Sequence, residues 1–325
     1  MAHSQINTIP DKTILLEALQ RVKKYIHNTP VLQNKGINEI TGSVLYFKCE
    51  NFQKIGAFKF RGGINTIFQL SEEEMQKGVA THSSGNHGQA VALAAKMRNI
   101  TAYIVMPQNS TKVKIEAVRS YGAELIFCDN SLQAREDKLN EIISETGAHF
   151  VHPYDDYRVI AGQSTSAQEL IQDYPKLDII ITPIGGGGLI SGTALAAKYF
   201  SPRTEVIGSE PEGADSAALS LQKHRWTTIA DPETICDGLR ASIGKKNFDI
   251  ISKNVSTVFR VSDREAISAM KLIWERMKIV IEPSCAVPLA AIIKNKDRFK
   301  NKRVGLILTG GNVDLNSVSE LFKEI

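Results

Sequence analysis

Cysteine is scarce in this 325-residue sequence: Cys49, Cys128, Cys236 and Cys285 stand far apart, and none belongs to a CxxC pair. That spacing excludes a disulfide framework and the common zinc-ligand patterns, and it fits reduced thiols in a cytoplasm. No stretch approaches the roughly 18 unbroken apolar residues that a membrane helix needs, so no membrane partner is expected. The opening "MAHSQINTIPDKT" lacks the basic and apolar regions of a secretory leader, which again leads to a cytoplasmic expectation. Charge of one sign is not gathered anywhere. The 39 basic and 35 acidic residues are scattered and leave a formal charge of +4, without the basic stripe that follows a nucleic-acid backbone. Repeats and low-complexity linkers are also missing, so any domain boundary must come from chemistry rather than composition.

What is present reads as an α/β protein, long enough for two lobes. Short apolar runs rich in β-branched residues, at 44–49, 102–106, 124–128, 178–182, 205–209, 255–261 and 304–309, predict strands. Segments of helical period such as 89–97, 132–145 and 264–277 lie between them, the pattern of mostly parallel sheets with helices on both faces. Ser71…Glu74 and Ser262…Glu265 match the capping-box spacing, which fixes two helix starts.

The run "DIIITPIGGGGLISG" predicts a buried strand, then Gly185, Gly186, Gly187 and Gly188, then a helix from about Leu189. Residues without Cβ let the backbone turn sharply and aim several N–H groups at an anion on the positive end of the helix dipole. A flexible turn is the plain alternative. The run holds no lysine, which disfavours a nucleotide P-loop, and Gly186-x-Gly188-x-x ends on Ser191, where the dinucleotide fingerprint wants a glycine or alanine. Glu210 nevertheless closes the next strand where a ribose-binding acid belongs, which keeps a nicotinamide dehydrogenase as an alternative.

"GAFKFRGG" sets Lys59 between Phe58 and Phe60. Desolvation lowers a lysine pKa, and a neutral amine attacks aldehydes, so this lysine suits a Schiff base; a surface lysine resting its stem on apolar neighbours is the other reading. "THSSGNHGQAVALAAKM" places Ser83, Ser84, Gly85 and Asn86 before an alanine-rich helix, either as a carboxylate-holding loop or as a simple cap. His82 and His87 lack metal-ligand spacing and read as packing residues or as supports behind the site. In "LILTGGNVDL", Thr309 ends a strand before glycines, where a hydroxyl can meet a ring nitrogen. A phosphate site together with a reactive lysine points to pyridoxal 5′-phosphate; a non-enzymatic phosphate-binding module is a third reading.

Taken together and in this order, "FKFRGG", "SSGNHGQA", "PIGGGGLISG" and "TGGNVDL" resemble the fold-type II pyridoxal-phosphate enzymes of the serine racemase and serine/threonine dehydratase family, which is tryptophan synthase beta-like. The resemblance runs from about Asn28 to Asp314. It implies that Lys59 holds the cofactor covalently with Phe58 beside it, and that Ser84 is the acid/base on the opposite face. It assigns Asn86 to the ring hydroxyl, Gly185 to Gly188 with Leu189 to the phosphate, and Thr309 to the pyridine nitrogen. Ser83 and Arg135 would hold the substrate carboxylate. A small mobile lobe, residues 71–153, would be inserted in a large cofactor-binding lobe, residues 1–70 with 154–325. The family's divalent-cation set, a Glu, a carbonyl four residues on and a carboxylate six residues on, falls on Glu210, Ala214 and Ser216. The last is not an acid, and on a helix the neighbouring Asp215 would point about 100° away, so Mg2+ has a weakened ligand set. The resemblance further implies a homodimer and a small β-hydroxy amino acid as substrate, with ammonia release or serine racemisation as the reaction. The chain ends soon after "LNSVSELFKEI", so no isoleucine-regulated domain is expected.

Overall fold

A computed structural model describes residues 6–83, 85–110 and 112–324. Its strands are β1 (Val31–Leu32), β2 (Val44–Cys49), β3 (Val79–His82), β4 (Ala102–Pro107), β5 (Glu124–Cys128), β6 (His149–Phe150), β7 (Ile179–Pro183), β8 (Glu205–Pro211), β9 (Thr257–Val261) and β10 (Arg303–Leu308). A six-stranded sheet has the order β1-β2-β10-β7-β8-β9, and a four-stranded sheet the order β5-β4-β3-β6. Every pairing is parallel except β1 with β2. The smaller sheet is built from one continuous stretch, and the larger one from chain on both sides of it. This is the expected α/β class.

Strand periodicity explains why both faces of the larger sheet are covered. Leu45, Phe47, Ile179, Ile181, Leu306 and Leu308 pack to one side, with helices Asp263–Met277 and Pro283–Lys294. The alternate residues Tyr46, Ile180 and Ile307 pack to the other, with helices Tyr157–Asp173 and Gly188–Phe200. Successive strand side chains point to opposite faces, so a sheet apolar on both needs two helical layers. The smaller sheet repeats this: Val79, Ala102, Ile104 and Met106 face helices Lys59–Ile67 and Asn86–Arg98, while Ala80, Val105 and Cys128 face helix Leu132–Thr146.

Both capping boxes form, at Ser71–Glu74 and Ser262–Glu265. Strand limits move slightly from the sequence expectation. The strand expected at 178–182 runs one residue later because Asp178 is a strand-end link: its carboxylate accepts the Arg303 N–H at 2.8 Å. The strand expected from 255 begins at Thr257, and β10 stops at Leu308, which leaves Thr309 just past the strand. Among the described residues, no helix is long and apolar enough to cross a membrane. All four cysteines are free and buried; burial pushes the thiols of Cys49 and Cys236 up to about 12.

Helix Lys59–Ile67 is fastened by a buried ionic cluster. Arg61, wholly buried, donates from Nε and Nη2 to Glu50 at 2.6 and 2.9 Å and from Nη1 and Nη2 to Glu169 at 2.8 and 2.7 Å. Lys48 pairs with the same Glu169 at 2.7 Å and donates to the Thr29 carbonyl at 2.7 Å. Burial pushes the Glu50 carboxyl up, but the charge and hydrogen bonds of Arg61, with the Lys48 charge and the Thr29 hydroxyl, together outweigh it and hold the group below the usual range. Removing one partner of such a cluster strands a charge in a site without water. Replacing Arg61 with methionine should therefore destabilise the fold by about 3–5 kcal/mol, read as a lower urea midpoint at unchanged slope. A loss below about 1 kcal/mol would show that the cluster does not hold this helix.

Candidate active site

The backbone ahead of Lys59 makes an abrupt turn. Ile55 and Gly56 both adopt left-handed angles, with φ of 59° and 71°. Ala57 then bridges to Gly310, and the Phe58 N–H donates to the Thr309 carbonyl at 3.0 Å. The start of helix Lys59–Ile67 is thereby pinned to the end of β10, which brings Lys59 and Thr309 to the same place. Lys59 Nζ lies 5.4 Å from the Phe58 ring centroid and donates to the Pro153 carbonyl at 2.8 Å. Burial pushes this amine down to about 8, while the negative charge of Glu282 pulls it back up. About a tenth of it is neutral at pH 7, against less than about a thousandth for an ordinary lysine.

A polar wall faces the amine. Asn86 opens helix Asn86–Arg98, and its Nδ2 donates to both oxygens of Glu282 at 3.0 and 3.2 Å. Asn312 Nδ2 donates in turn to Asn86 Oδ1 at 2.8 Å. Burial, with Asp237 adding, pushes the Glu282 carboxyl up to about 8 against the Asn86 bond. Glu282 was not among the residues singled out from sequence. Its signal was there, an acid at the edge of the apolar stretch "KIVIEPSCAVPLAA", since an acid is buried among apolar groups only if something needs it.

Ser83 Oγ accepts the Gly85 N–H at 3.2 Å; Ser84 lies outside the described residues. Arg135 sits on helix Leu132–Thr146, its Nε donating to the Ser131 carbonyl at 3.3 Å. Burial pushes His82, the neighbour of Ser83, down to about 4, with the Arg135 charge adding. His82, Phe150, His152 and Tyr154 form a chain of ring contacts with successive centroid distances of 6.1, 5.2 and 4.7 Å. His87 is buried and bonded through Nε2 to the Val151 carbonyl at 2.9 Å, in keeping with the packing role expected of it.

The glycine run joins β7 to helix Gly188–Phe200. Gly187 caps that helix at φ +96°, a conformation that side chains with Cβ rarely adopt. At Gly186 the requirement is space, because an added Cβ would lie 2.1 Å from the Tyr154 ring. Among the described residues no acceptor faces the N–H groups of Gly185 through Leu189. Free donors at the positive end of a buried helix form an anion cradle.

The chain matches the family profile described as pyridoxal-phosphate dependent enzyme over residues 22–310. It belongs to that family. It is 50% identical to a serine racemase from Dictyostelium discoideum over 312 residues, covering 94% of this chain and 95% of the other. It is 46% identical to a beta-hydroxyaspartate dehydratase from Paracoccus denitrificans (strain Pd 1222), covering 95% and 98%. The solved structure of maize serine racemase superposes with a TM-score of 0.94 at 42% identity, covering 98% of each chain. The residues present fit the family's cofactor: the glycine cradle suits its phosphate, and the partly neutral amine of Lys59 suits its aldehyde. The nicotinamide alternative loses its support, since Glu210 is fully buried and both its oxygens are turned to the backbone N–H groups of Ala217 and Ala218 rather than to a site open to a ribose.

A divalent cation fits less well. Glu210 Oε1 and Oε2 accept the N–H groups of Ala217 and Ala218, each at 2.9 Å, and Ser216 Oγ accepts the Ile243 N–H at 3.0 Å. Asp215 precedes the helix Ser216–Gln222 rather than lying on it, and pairs with Arg260 at 2.9 Å. Among the described residues, no group of three or more His, Cys, Asp or Glu side chains is arranged to hold a metal.

Only the neutral amine attacks, so the rate at which apoprotein captures pyridoxal 5′-phosphate should climb with pH and reach half its plateau near about 8. Glu282→Gln, which removes the negative charge that raises Lys59 as Glu282 ionises at about 8, should move that midpoint lower in stopped-flow traces; an upward shift would contradict the pairing. Gly186→Ala should weaken cofactor affinity roughly fivefold to a hundredfold through overpacking against Tyr154, and the added change Tyr154→Ala should recover part of the loss.

Proposed function

We infer that this chain releases ammonia from small β-hydroxy amino acids, with serine, threonine and 3-hydroxyaspartate as candidate substrates, and that it also racemises serine. The observation that carries this reading is the Lys59 amine, desolvated yet, among the described residues, bonded only to a carbonyl, and therefore able to take up and return a proton. Bound pyridoxal 5′-phosphate supplies the electron withdrawal that acidifies the substrate Cα–H. Lys59 holds the cofactor and, once released by the incoming amino group, removes the Cα proton. The β-hydroxyl then leaves with a proton as water, and the resulting enamine is hydrolysed by water to a keto acid and ammonia, whereas a proton delivered to the opposite face gives the mirror-image amino acid.

Ser84 is assigned that opposite-face transfer from the sequence resemblance. Ser83 and Arg135 are assigned the substrate carboxylate, supported by the influence of Arg135 on the neighbouring His82. Asn86, held by Glu282, meets the ring hydroxyl; Gly185 to Leu189 take the phosphate; and Thr309 meets the pyridine nitrogen. Because a neutral hydroxyl at Thr309 does not force full protonation of that nitrogen, prompt loss of the β-hydroxyl is favoured over delivery of a proton to the opposite face, and each ~1.4 kcal/mol between the two barriers changes their ratio tenfold. Residues 71–153 act as the closing lobe; the Lys114–Asp237 ion pair, 2.7 Å across the two units, supports a closed arrangement. Homodimer assembly belongs to the same reading, as does the resemblance to serine racemases and a hydroxyaspartate dehydratase along nearly the whole chain.

Lys59→Ala should abolish turnover together with the visible, borohydride-sensitive absorbance of the bound cofactor; retained activity would refute the assignment. D- and L-hydroxyamino acids assayed in parallel for keto acid and for mirror-image product should give both products from L-serine. Ser84→Ala should depress racemisation much more than elimination of the L-enantiomer, and an equal loss of both would overturn the two-face scheme.

A further inference from the structure

The turn between β8 and the helix Ser216–Gln222 is where cation-binding relatives would place a carboxylate, a carbonyl and a second carboxylate. In this chain those positions are already paired within the protein. Glu210 spends one oxygen on the Ala217 N–H and the other on the Ala218 N–H, each at 2.9 Å, so the helix itself supplies the positive partner. Ser216 brings no charge, and its Oγ accepts the Ile243 N–H at 3.0 Å. Asp215 turns away to Arg260. A hard divalent ion recruits several oxygens, carboxylates foremost, and this set offers it a single carboxylate that is already bonded twice.

The Ser216 bond also leads to the cofactor cradle. Ile243 is held on its other side, where its carbonyl accepts the Trp226 Nε1–H at 2.7 Å. The next residue, Gly244, donates its N–H to the Gly186 carbonyl at 3.1 Å. Asn247 Nδ2 donates to the carbonyl of Tyr154 at 3.0 Å, and the ring of Tyr154 covers Gly186. A continuous series of contacts therefore runs from Ser216 through Ile243 and Gly244 to the glycine run, and it sets where the Gly186 peptide sits.

We propose that Ser216 is a positioning residue that anchors the phosphate-holding glycine run through Ile243 and Gly244 in place of a divalent cation, so that cofactor binding in this enzyme is independent of such ions. The proposal rests on the cofactor assignment and not on the choice of substrate. An aspartate at 216 would set a second carboxylate one residue from the N–H that Glu210 holds, and relief of that repulsion would need a cation.

The test uses the holoenzyme, stripped of cofactor and of metal by dialysis against a chelator. Pyridoxal 5′-phosphate is titrated back by its visible absorbance, with melting temperature, kcat and KM followed in parallel, before and after adding Mg2+, Ca2+ or Mn2+. The wild-type protein should show cofactor affinity and melting temperature indifferent to all three ions. Ser216→Ala leaves the Ile243 N–H without a partner and should weaken cofactor affinity roughly fivefold to tenfold, with substrate KM little changed, and Ser216→Thr, which keeps the hydroxyl, should restore it. Ser216→Asp should bind the cofactor poorly in chelator and recover when a cation is added. A wild-type enzyme that loses about tenfold in cofactor affinity on chelation and regains it with one of the ions would overturn the proposal. So would an unchanged affinity in Ser216→Ala, or a Ser216→Asp protein indifferent to cations.

Discussion

An ammonium moved out of water loses its hydration, and a protein can either pair the charge or let the proton go. Lys48 and Lys59 show the two choices within a dozen residues. Lys48 is wholly buried and has the Glu169 carboxylate at 2.7 Å, so its charge is matched. Lys59 has the Pro153 carbonyl at 2.8 Å and, among the described residues, no carboxylate at bonding distance, and its pKa falls to about 8. The difference is imposed by the backbone: the left-handed pair Ile55–Gly56 and the Phe58–Thr309 bond aim Lys59 into the cleft, whereas Arg61, further along the same helix, points into the ionic cluster.

That division of labour explains why so much polar chemistry is buried beside the site. The Arg61–Glu50–Glu169–Lys48 cluster holds the helix that carries the reactive amine, and the Asn312–Asn86–Glu282 series holds the wall opposite. Each group in these series has a hydrogen-bond partner, so the cleft keeps its shape without depending on water to fill gaps. The glycine run completes the enclosure from a third side, with the ring of Tyr154 seated where any side chain at 186 would intrude.

The sequence disclosed the parts of this arrangement that rest on local pattern. Strands β2 and β5 coincide with apolar runs long enough to be read, β8 starts with one and runs two residues past it, and both capping boxes have their acid three residues after the serine. Strand β3 was missed because "VATH" is short and half polar; its strand geometry comes from pairing with β4 and β6 rather than from its own composition. Glu282 and Tyr154 escaped notice for a related reason. Glu282 matters because Asn86, nearly two hundred residues earlier, reaches it, and Tyr154 because Gly186 leaves room for it, relations that no short window contains. The cation set could be doubted from sequence, since Ser216 is visibly not an acid, but the Ile243 N–H that occupies its hydroxyl could not be seen.

The four interior thiols have a practical corollary. Alkylation requires both a thiolate and a path to it, and sulfurs such as Cys49 and Cys236, held at about 12 and closed off from solvent, offer neither while the chain is folded. Labelling by iodoacetamide or a maleimide thus clocks transient opening of the core, and the protein carries its own unfolding reporter without an engineered probe.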